Sequence, residues 1–278
     1  KEKKVKDLAS EILEIHRVAS GIYQENIKTQ DGQKIEKYFI DRGILPEHIS
    51  KFKLGYSLDS YDQILKSMQG KFSSTAMNES GLFISTKKGY MDRFRNRIMF
   101  SIDNIYGKTI AFGGRAISKN ETQKYMNSPT TPIYNKSAVL YGLSETKETI
   151  SDMDSVIVVE GYMDFLQLYV NGIENVVAIS GTSLTDQQIK LISRVTKNCY
   201  IAFDGDSAGI AAAIRAGYLM MKNGINTKVV EIPDGKDPDD WVKENGKEPF
   251  LSACNDSLEV VDFHYKNYSS KNETDSVD

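Results

Sequence analysis

Acidic residues follow three separate apolar stretches of this sequence, each at the point where the stretch ends. The stretches span residues 156–159, 199–203 and 227–232, and the acids after them are Glu160, Asp204, Asp206, Asp237 and Asp239. Helix capping explains this pattern poorly, because Glu is a weak N-cap and one helix needs only one capping Asp. Several carboxylates in one place repel one another, and a bound divalent cation removes that cost. The pattern therefore points to metal chemistry.

The available ligand atoms indicate which metal this would be. The chain has 3 histidines and 2 cysteines, with no Cys-x-x-Cys and no Cys/His cluster, so no zinc site is predicted. Carboxylate oxygens alone suit Mg²⁺ or Mn²⁺. We predict that Glu160, Asp204 and Asp206 bind the metal directly, and that Asp237 and Asp239 hold a second ion or the waters of the first. Glu160 could instead act as a general base, and the sequence does not separate these two roles.

The residues next to these acids receive simpler interpretations. Gly161, Gly205 and Gly209 are expected to let the chain turn tightly, so that backbone can approach a metal or a phosphate. Asp164 and Asp240 are interpreted as helix caps or turn residues, which is the commonest role of Asp beside a helix.

The acids need a scaffold that brings distant segments together. From about residue 150, apolar strand patterns alternate with helical patterns, which is typical of βαβ units and a mainly parallel sheet. The strands are predicted at 156–159, 176–180, 199–203 and 227–232, and the helices at 162–171, 184–195 and 207–223. The carboxyl ends of parallel strands share one edge of the sheet, where ligands bind in α/β proteins. The acids that follow these strands are therefore expected to converge there.

The first part of the chain is predicted to be α+β. It contains amphipathic helix patterns and a pair of strands, at residues 6–18, 33–42, 60–69 and 97–114. From about residue 247 the sequence is polar and helical. We therefore divide the chain into an α+β subdomain, a sheet domain and a partial helical subdomain, at residues 1–140, 141–246 and 247–278.

Basic residues concentrate in this first part. Arg93, Arg95 and Arg97 alternate at strand spacing, so we expect them to share one face of an extended segment. Three guanidinium groups on one face repel one another unless phosphates neutralise them, and Arg suits bidentate phosphate contacts. The net charge of −3 and the pI of about 5.8 argue, taken alone, against nucleic-acid binding. The net charge is nevertheless a sum over the whole chain, in which the positive charge of a basic surface nearly cancels the negative charge of the metal-binding acids.

The composition and the N-terminal residues indicate which class of protein this is and in which compartment it works. No apolar run approaches the roughly 20 residues that span a bilayer, and the N-terminal KEKKVKDLAS has no signal-peptide core. Cys199 and Cys254 are interpreted as small buried hydrophobes in a reduced compartment, so a cytoplasmic protein without membrane contact is expected. The sequence does not begin with Met, and we expect a fragment of a longer chain. A monomer is the default expectation.

Three blocks of this sequence, VIVVEGYMD, AFDGDSAGIAAA and DGKDPDDWV, resemble the signature blocks of the toprim domain, which topoisomerases, bacterial primases and some nucleases share. The form EGYMD, followed by GTSLT and DGDxAG, is similar to DnaG-type bacterial primases in particular. The resemblance extends upstream to RFRNRIMFSI, IAFGGRAI and KYMNSPTTPIYNKSAVLYGL, so it covers most of residues 90–245. It implies an α/β toprim domain with a mainly parallel sheet flanked by helices, between the α+β subdomain and a short helical segment.

The resemblance also implies an activity, namely synthesis of RNA primers on a single-stranded DNA template by Mg²⁺-dependent nucleotidyl transfer, with Mn²⁺ as a substitute metal. The residues it implies for nucleotide binding are Arg93, Arg95, Arg97, Lys124, Asn127 and Lys136. Those it implies for nucleic-acid binding are Arg97, Arg115 and Lys124.

Partners follow from the same resemblance. They are the single-stranded DNA template, ribonucleoside triphosphates, the RNA–DNA hybrid product, and a replicative helicase that binds through a domain not recognised in this sequence. The zinc-binding domain of such primases is not recognised here either. A guanine nucleotide that carries extra phosphates is expected to compete for the same basic and metal site as an inhibitor.

Two other functions stay open at this point. A toprim nuclease or topoisomerase would cleave DNA rather than polymerise RNA, but a topoisomerase needs a nucleophilic Tyr on a further domain. A non-catalytic toprim module would only bind DNA or a partner. Such a module has no need of the Asp204/Asp206 pair or of the basic block at 124–136.

Overall fold

The computed structural model of the chain describes residues 2–87, 89–118 and 121–274. It forms two compact units, Lys1–Lys136 (unit 1) and Ser137–Asp278 (unit 2). The boundaries drawn above after residues 140 and 246 stay predictions. None of the helices in the described ranges combines the length and apolarity needed to cross a membrane.

Unit 1 combines helices with short antiparallel sheets. Its helices are α1 (Glu2–Ile27), α2 (Gln33–Ile40), α3 (Pro46–Lys51), α4 (Gln63–Met68) and α5 (Ser74–Glu79). Its strands are β1 (Gly55–Ser57), β2 (Phe83–Thr86), β3 (Gly89–Asp92), β4 (Arg97–Asp103), β5 (Thr109–Ala116) and β6 (Tyr125–Asn127). The strands form a sheet of order β1-β4-β5-β6 and a separate β2–β3 hairpin, and every pairing is antiparallel. The predicted α+β character is therefore present.

The core of unit 1 lies between α1 and β5. The helix is longer than the predicted 6–18, because its apolar face continues through Tyr23 and Ile27, which are both buried. The ring of Phe112 on β5 meets the rings of His16 and Tyr23 edge-on, at centroid distances of 5.5 and 5.2 Å. Aromatic pairs in this geometry add to the free energy gained by burying apolar area.

Burial of His16 makes the stability of this unit depend on pH. Its Nε2–H donates to the Ser80 carbonyl at 2.9 Å, and burial lowers the pKa of the imidazole from 6.5 to about 4. Between these two pH values the unfolded chain binds a proton that the folded chain does not. We expect the free energy of unfolding to fall by up to about 3 kcal/mol as the pH drops from 7 to 4. Urea denaturation at several pH values measures this.

Two histidine variants separate this effect from the titration of carboxylates. His16→Gln should make the free energy of unfolding less dependent on pH between 4 and 7. His264→Gln, at an exposed histidine on the C-terminal helix, should leave that dependence as it is. Equal pH dependence in the wild type and in His16→Gln would contradict the prediction.

Unit 2 is built from alternating strands and helices. Its helices are α6 (Leu143–Asp152), α7 (Tyr162–Val170), α8 (Asp186–Ile192), α9 (Ser207–Lys222), α10 (Pro238–Asn245), α11 (Lys247–Asn255) and α12 (Val260–Thr274). Its strands are β7 (Val156–Val159), β8 (Val176–Ala178), β9 (Asn198–Ile201), β10 (Asn226–Val229) and β11 (Leu258–Glu259). The sheet order is β11-β10-β9-β7-β8, and every pairing is parallel except that of β11. The prediction of a mainly parallel sheet is confirmed.

The interior of this sheet is formed by the apolar strands themselves. All four residues of β7 are buried, as expected for a strand with helices on both faces. Cys199 on β9 and Cys254 on α11 are buried free thiols, and burial raises the pKa of both. They therefore pack as small hydrophobes, as predicted.

Candidate active site

Three strands of unit 2 end side by side at one edge of the sheet. In the parallel order β10-β9-β7, Val158 pairs with Ile201, which pairs in turn with Val229. The chain segments that leave these strands therefore emerge at the same edge, which is where α/β proteins bind ligands. The predicted acids Glu160, Asp204, Asp206, Asp237 and Asp239 all lie on these segments.

Glu160 lies directly after β7 and is partly buried. Burial raises the pKa of its carboxyl, and the charge of Asp206 raises it further. A hydrogen bond with the Asp204 backbone and the charge of Arg215 act in the opposite direction. Glu160, Asp204 and Asp206 are therefore close enough to influence one another, as the strand pattern predicted. A carboxylate with a raised pKa suits proton transfer as well as metal binding, so both roles of Glu160 stay open.

Two of the predicted metal ligands also cap helices. Asp206 is the N-cap of α9, and its Oδ1 accepts the N–H of Gly209 at 2.7 Å. Asp237 is the N-cap of α10, and its Oδ1 accepts the N–H of Asp240 at 2.7 Å. Capping uses one oxygen of each carboxylate, and a carboxylate has two oxygens that can accept bonds. Capping thus explains one acid at each helix start and leaves Asp204 and Asp239 without that explanation.

Asp164 is more than the helix cap that the sequence indicates, because its carboxylate also contacts the acidic segments. Its Oδ2 accepts the Gly161 N–H at 2.8 Å, which is the expected contact at the start of α7. Its Oδ1 also accepts the Asp239 N–H at 3.4 Å, and the side chain is 7% exposed. Burial raises the pKa of this carboxyl to about 8, with further contributions from the charges of Asp237, Asp204 and Asp239. Asp164 therefore lies among the predicted ligands.

The start of α10 carries the tightest group of acids. Asp237, Asp239 and Asp240 each offer a carboxylate oxygen, and these three oxygens lie within 4.8 Å of one another. The sequence interpretation of Asp240 is a helix cap or a turn residue, and the signal that identifies it as part of this group is the presence of three acids in DPDD. What links this group to the acids at the strand ends is Asp164, whose carboxylate accepts the Asp239 N–H.

The glycines beside the acids are needed for close approach rather than for tight turns. Gly161, Gly205 and Gly209 are not among the residues with positive φ. A Cβ on Gly205 would lie 2.2 Å from the Pro233 carbonyl oxygen, and one on Gly209 would lie 2.1 Å from the Asp204 carbonyl oxygen. Such distances are impossible, so these glycines let neighbouring backbones pack tightly around the acids.

The predicted strand through Arg93, Arg95 and Arg97 is wrong. Strand β3 ends at Asp92 and β4 begins at Arg97, and Asn96 between them has a left-handed φ of 49°. A left-handed residue is outside the extended conformation of a strand, so the period of two that places alternate residues on one face does not hold there.

The three arginines consequently have separate environments. Arg93 Nε donates to the Gly81 carbonyl at 2.7 Å, and the Arg95 guanidinium lies 4.5 Å from the centre of the Tyr61 ring. Arg97 is 5% exposed, and its Nη1 donates to the Gln123 carbonyl at 3.0 Å. Burial lowers the pKa of Arg97, the charge of Glu121 raises it, and the charge of Arg95 lowers it, so Arg95 and Arg97 still influence each other although they contact different groups.

The other residues predicted to bind phosphate or nucleic acid lie on strands β5 and β6 of the β1-β4-β5-β6 sheet, or precede or follow β6 in the sequence. Arg115 on β5 pairs with Tyr125 on β6, and Lys124 immediately precedes β6 and is exposed. Asn127 pairs with Gly113 at the end of that strand. Lys136 begins a short 3₁₀ turn, Lys136–Ala138, and burial lowers the pKa of its amine.

Two protein families match the two units of this chain. The family described as DNA primase catalytic core, N-terminal domain, matches residues 22–147, and the Toprim-like family matches residues 157–242. The second match coincides with the parallel sheet and with all five predicted acidic ligands. The α/β domain therefore has the toprim fold.

Individual relatives agree with the family matches. The DNA primase of Clostridium acetobutylicum is 42% identical over 232 residues, which are 83% of this chain and 38% of that protein. The chain thus spans about two fifths of the length of that curated relative.

Solved structures cover more of the chain. A structure of the Aquifex aeolicus primase, with zinc-binding and RNA polymerase domains, is 36% identical with a TM-score of 0.84, and the match covers 95% of this chain and 65% of that one. A DnaG primase catalytic domain bound to single-stranded DNA is 31% identical with a TM-score of 0.86, and the match covers 96% of this chain and 84% of that one.

Proposed function

Because the chain belongs to the catalytic cores of the DnaG-type DNA primases, we propose that it performs the synthetic step of a primase. In this step the 3′-hydroxyl of a growing RNA attacks the α-phosphate of a ribonucleotide that is paired with single-stranded DNA. The observation that carries the proposal is the convergence of acids from three adjacent strand ends on the toprim sheet. Membership of the primase family supports a polymerising role for that edge.

A divalent metal fits the donor set at this edge. The donors are carboxylate oxygens, which suit Mg²⁺, with Mn²⁺ as a substitute. The pKa of Asp164, raised to about 8 by burial and by three neighbouring carboxylates, reflects negative charge that a cation would offset. When bound, such a metal lowers the pKa of the attacking hydroxyl and stabilises charge on the leaving pyrophosphate.

Each acid has a proposed role in metal binding or proton transfer. Asp204 and Asp206 hold the metal beside the strand end, and Glu160 either joins them or accepts the proton of the 3′-hydroxyl. Asp237 and Asp239 hold a second ion or the waters of the first. The capping bonds of Asp206 and Asp237 fix the orientation of their carboxylates before any ligand arrives.

The basic residues of unit 1 are proposed to bind phosphate. Those assigned to the triphosphate are Arg93, Arg95, Arg97, Lys124 and Lys136, with Asn127 at the base or sugar. Those assigned to the nucleic acid are Arg97, Arg115 and Lys124. The whole protein's partners are proposed to be ribonucleoside triphosphates, a single-stranded DNA template, the RNA–DNA hybrid and a replicative helicase, with phosphorylated guanine nucleotides as competing inhibitors.

A binding measurement on Asp204→Ala tests the metal assignment. Calorimetric titration of the chain with GTP should show binding that depends on Mg²⁺ or Mn²⁺. Removing the Asp204 carboxylate should weaken that binding roughly 100-fold, because the metal loses a direct ligand. The matched control is Asp256→Ala, at an exposed Asp that caps the end of α11, which should bind GTP like the wild type.

The opposite result is equally informative. GTP binding that is insensitive both to metal and to Asp204→Ala would place the nucleotide away from the acidic edge and contradict the proposed mechanism. DNA cleavage or simple DNA binding is not favoured, because the matched relatives are named DNA primases. Metal-dependent dinucleotide synthesis on single-stranded DNA, measured beside nicking of supercoiled DNA, distinguishes the three activities.

A further inference from the structure

Residues 137–141, at the beginning of unit 2, run along one side of its sheet. Tyr141 forms an isolated antiparallel bridge with Ala178 of β8, in which its N–H donates to the Ala178 carbonyl at 2.9 Å and its carbonyl accepts the Ala178 N–H at 3.1 Å. Strand β8 is the last strand in the order of that sheet. We therefore call residues 137–141 the edge segment. Its first residue, Ser137, belongs to the 3₁₀ turn that begins at Lys136.

Two side chains at the start of α8 hold the backbone of the edge segment. The Thr185 hydroxyl donates to the Ser137 carbonyl at 2.5 Å, and the Gln188 Nε2 donates to the Val139 carbonyl at 2.8 Å. Gln188 is fully buried. Removing one partner of a buried hydrogen bond leaves the other unsatisfied, which costs more than the bond itself contributes. We call Thr185 and Gln188 the α8 clamp.

Helix capping alone does not account for the α8 clamp. Thr185 and Gln188 form a capping box, in which Thr185 Oγ1 accepts the Gln188 backbone N–H and Gln188 Oε1 accepts the Thr185 backbone N–H. That exchange uses only acceptor atoms of the two side chains. Their donors, the Thr185 O–H and the Gln188 amide, are directed at the edge segment. The residues that start α8 therefore also fix a backbone that is distant in the sequence.

The loop between β8 and α8 connects the α8 clamp to the acidic edge. At the beginning of this loop, the Ser180 N–H donates to the Glu160 carbonyl at 2.9 Å. Ser180 and Gly181 have left-handed φ values of 52° and 80°, so the chain leaves the strand direction there. The loop ends at Thr185 and contains the GTSLT block, which has no part in the proposed metal or nucleotide contacts. It thus bonds to the backbone of Glu160 at one end and carries the α8 clamp at the other.

Lys136 is the first residue of the turn whose second residue the α8 clamp holds. Its side chain is partly buried, so the position of its ammonium group depends on the backbone of the turn more than that of an exposed lysine would. Contacts to a bound phosphate depend steeply on distance, and a small displacement of the group that makes them lowers affinity. A turn that is not held in place would therefore bind a triphosphate less tightly.

We propose that Thr185 and Gln188 are positioning residues for nucleotide binding, which act by fixing the turn that carries Lys136. The inference rests on the proposed function, in which Lys136 binds the triphosphate, and it deepens that function by giving the GTSLT block and the start of α8 a role. Neither side chain is expected to contact the nucleotide itself, because each donates to the backbone of the edge segment.

Gln188→Met tests the inference, because Met has a similar length and no amide. In calorimetric titration with GTP and Mg²⁺, the dissociation constant should rise roughly 5- to 20-fold, because the positioning of Lys136 is lost. In primer synthesis the KM for ribonucleotides should rise by a similar factor, while kcat changes less than about threefold. Thr185→Val should weaken binding in the same way. Thr185→Ser keeps the hydroxyl and should bind GTP like the wild type.

A double-mutant cycle separates positioning from general loosening of the fold. Lys136→Ala should weaken GTP binding by itself, and adding Gln188→Met should change the affinity by less than about twofold, because the residue that is positioned is already gone. The matched control is Asn175→Leu, which removes another buried amide of unit 2, one that donates to the Ser155 carbonyl at 3.1 Å. It should lower the free energy of unfolding and leave GTP binding unchanged.

Three results would overturn the inference. They are GTP affinity within twofold of the wild type in Gln188→Met and Thr185→Val, additive losses in the double variant, and GTP binding that Lys136→Ala does not weaken. Urea denaturation shows which variants fold, and the comparison of Thr185→Val with Thr185→Ser keeps the test decisive if Gln188→Met does not.

The inference and the proposed function can fail separately. If the wild type makes primers with Mg²⁺ but the losses of Lys136→Ala and Gln188→Met add, the proposed function stands and the positioning role fails. If the two losses in GTP binding are coupled but the wild type makes no primers, the positioning role stands and the proposed function fails.

Discussion

Glu160→Gln is expected to lower primer synthesis on single-stranded DNA by roughly 10²- to 10⁴-fold. Gln has the same shape and can still accept the hydrogen bond from the Asp204 backbone, so the end of β7 should stay in place. It carries no charge and cannot take a proton at neutral pH, so either role proposed for Glu160 is lost. Incorporation of labelled ribonucleotides with saturating Mg²⁺ measures the effect.

A second measurement on the same variant separates the two roles of Glu160. If Glu160 is a metal ligand, Glu160→Gln should also weaken metal-dependent GTP binding. If it is the general base, GTP binding should persist while the acidic limb of the rate-against-pH profile disappears. Glu174→Gln, at an exposed Glu between α7 and β8, is the matched control and should be fully active. Primer synthesis by Glu160→Gln within twofold of the wild type would contradict both roles.

Much of unit 2 could be predicted because its strands are buried on both faces. Such strands appear as short apolar runs, and the run at 156–159 matches β7 residue for residue. The acids share an edge because the strands that they follow are parallel, and the alternation of strand and helix patterns indicates parallel strands, so this common edge could also be predicted. Strand β11 could not be predicted, because a strand of two residues at the edge of the sheet is too short to show a periodic pattern.

The arginine segment shows where periodicity misleads. RFRNR alternates like a strand, and Phe94 is buried as that pattern requires. The left-handed Asn96 nevertheless breaks the segment just before β4, and a single positive φ leaves no trace in a pattern of polar and apolar residues. Asn is one of the few residues that adopt this conformation at low cost, which is the one local signal available.

The proximity of Asp164 to the other acids could not be predicted, for a different reason. Its position in the first turn of α7 indicates a helix cap, and the structure confirms that contact with Gly161. The features that set it apart come from residues distant in the sequence: Asp239 donates its N–H to the Asp164 carboxylate, and burial together with the charges of Asp237, Asp204 and Asp239 raises the pKa of that carboxylate. Long-range proximity of this kind follows from the fold and not from the local sequence.

The glycines at the acidic edge lead to a prediction about Gly209→Ala. Alanine normally favours a helix over glycine, and Gly209 is in the first turn of α9. Here a Cβ would lie 2.1 Å from the carbonyl oxygen of Asp204 and 2.8 Å from its carbonyl carbon, so backbone must move. We expect the variant to lose about 1–3 kcal/mol of unfolding free energy and roughly 100-fold in primer synthesis. Urea denaturation and ribonucleotide incorporation measure the two effects.

Gly21→Ala provides the control for this argument, because it makes the same chemical change in a helix where nothing is crowded. Apart from its own stretch of helix backbone, nothing lies within 4 Å of the position of its Cβ, so the alanine should stabilise α1 by about 0.5–1 kcal/mol and leave synthesis unchanged. The opposite signs of the two substitutions would show that Gly209 is required by the Asp204 backbone and not by helix propensity. If Gly209→Ala were as stable and active as Gly21→Ala, the packing of Asp204 against α9 could not be what positions the acidic edge.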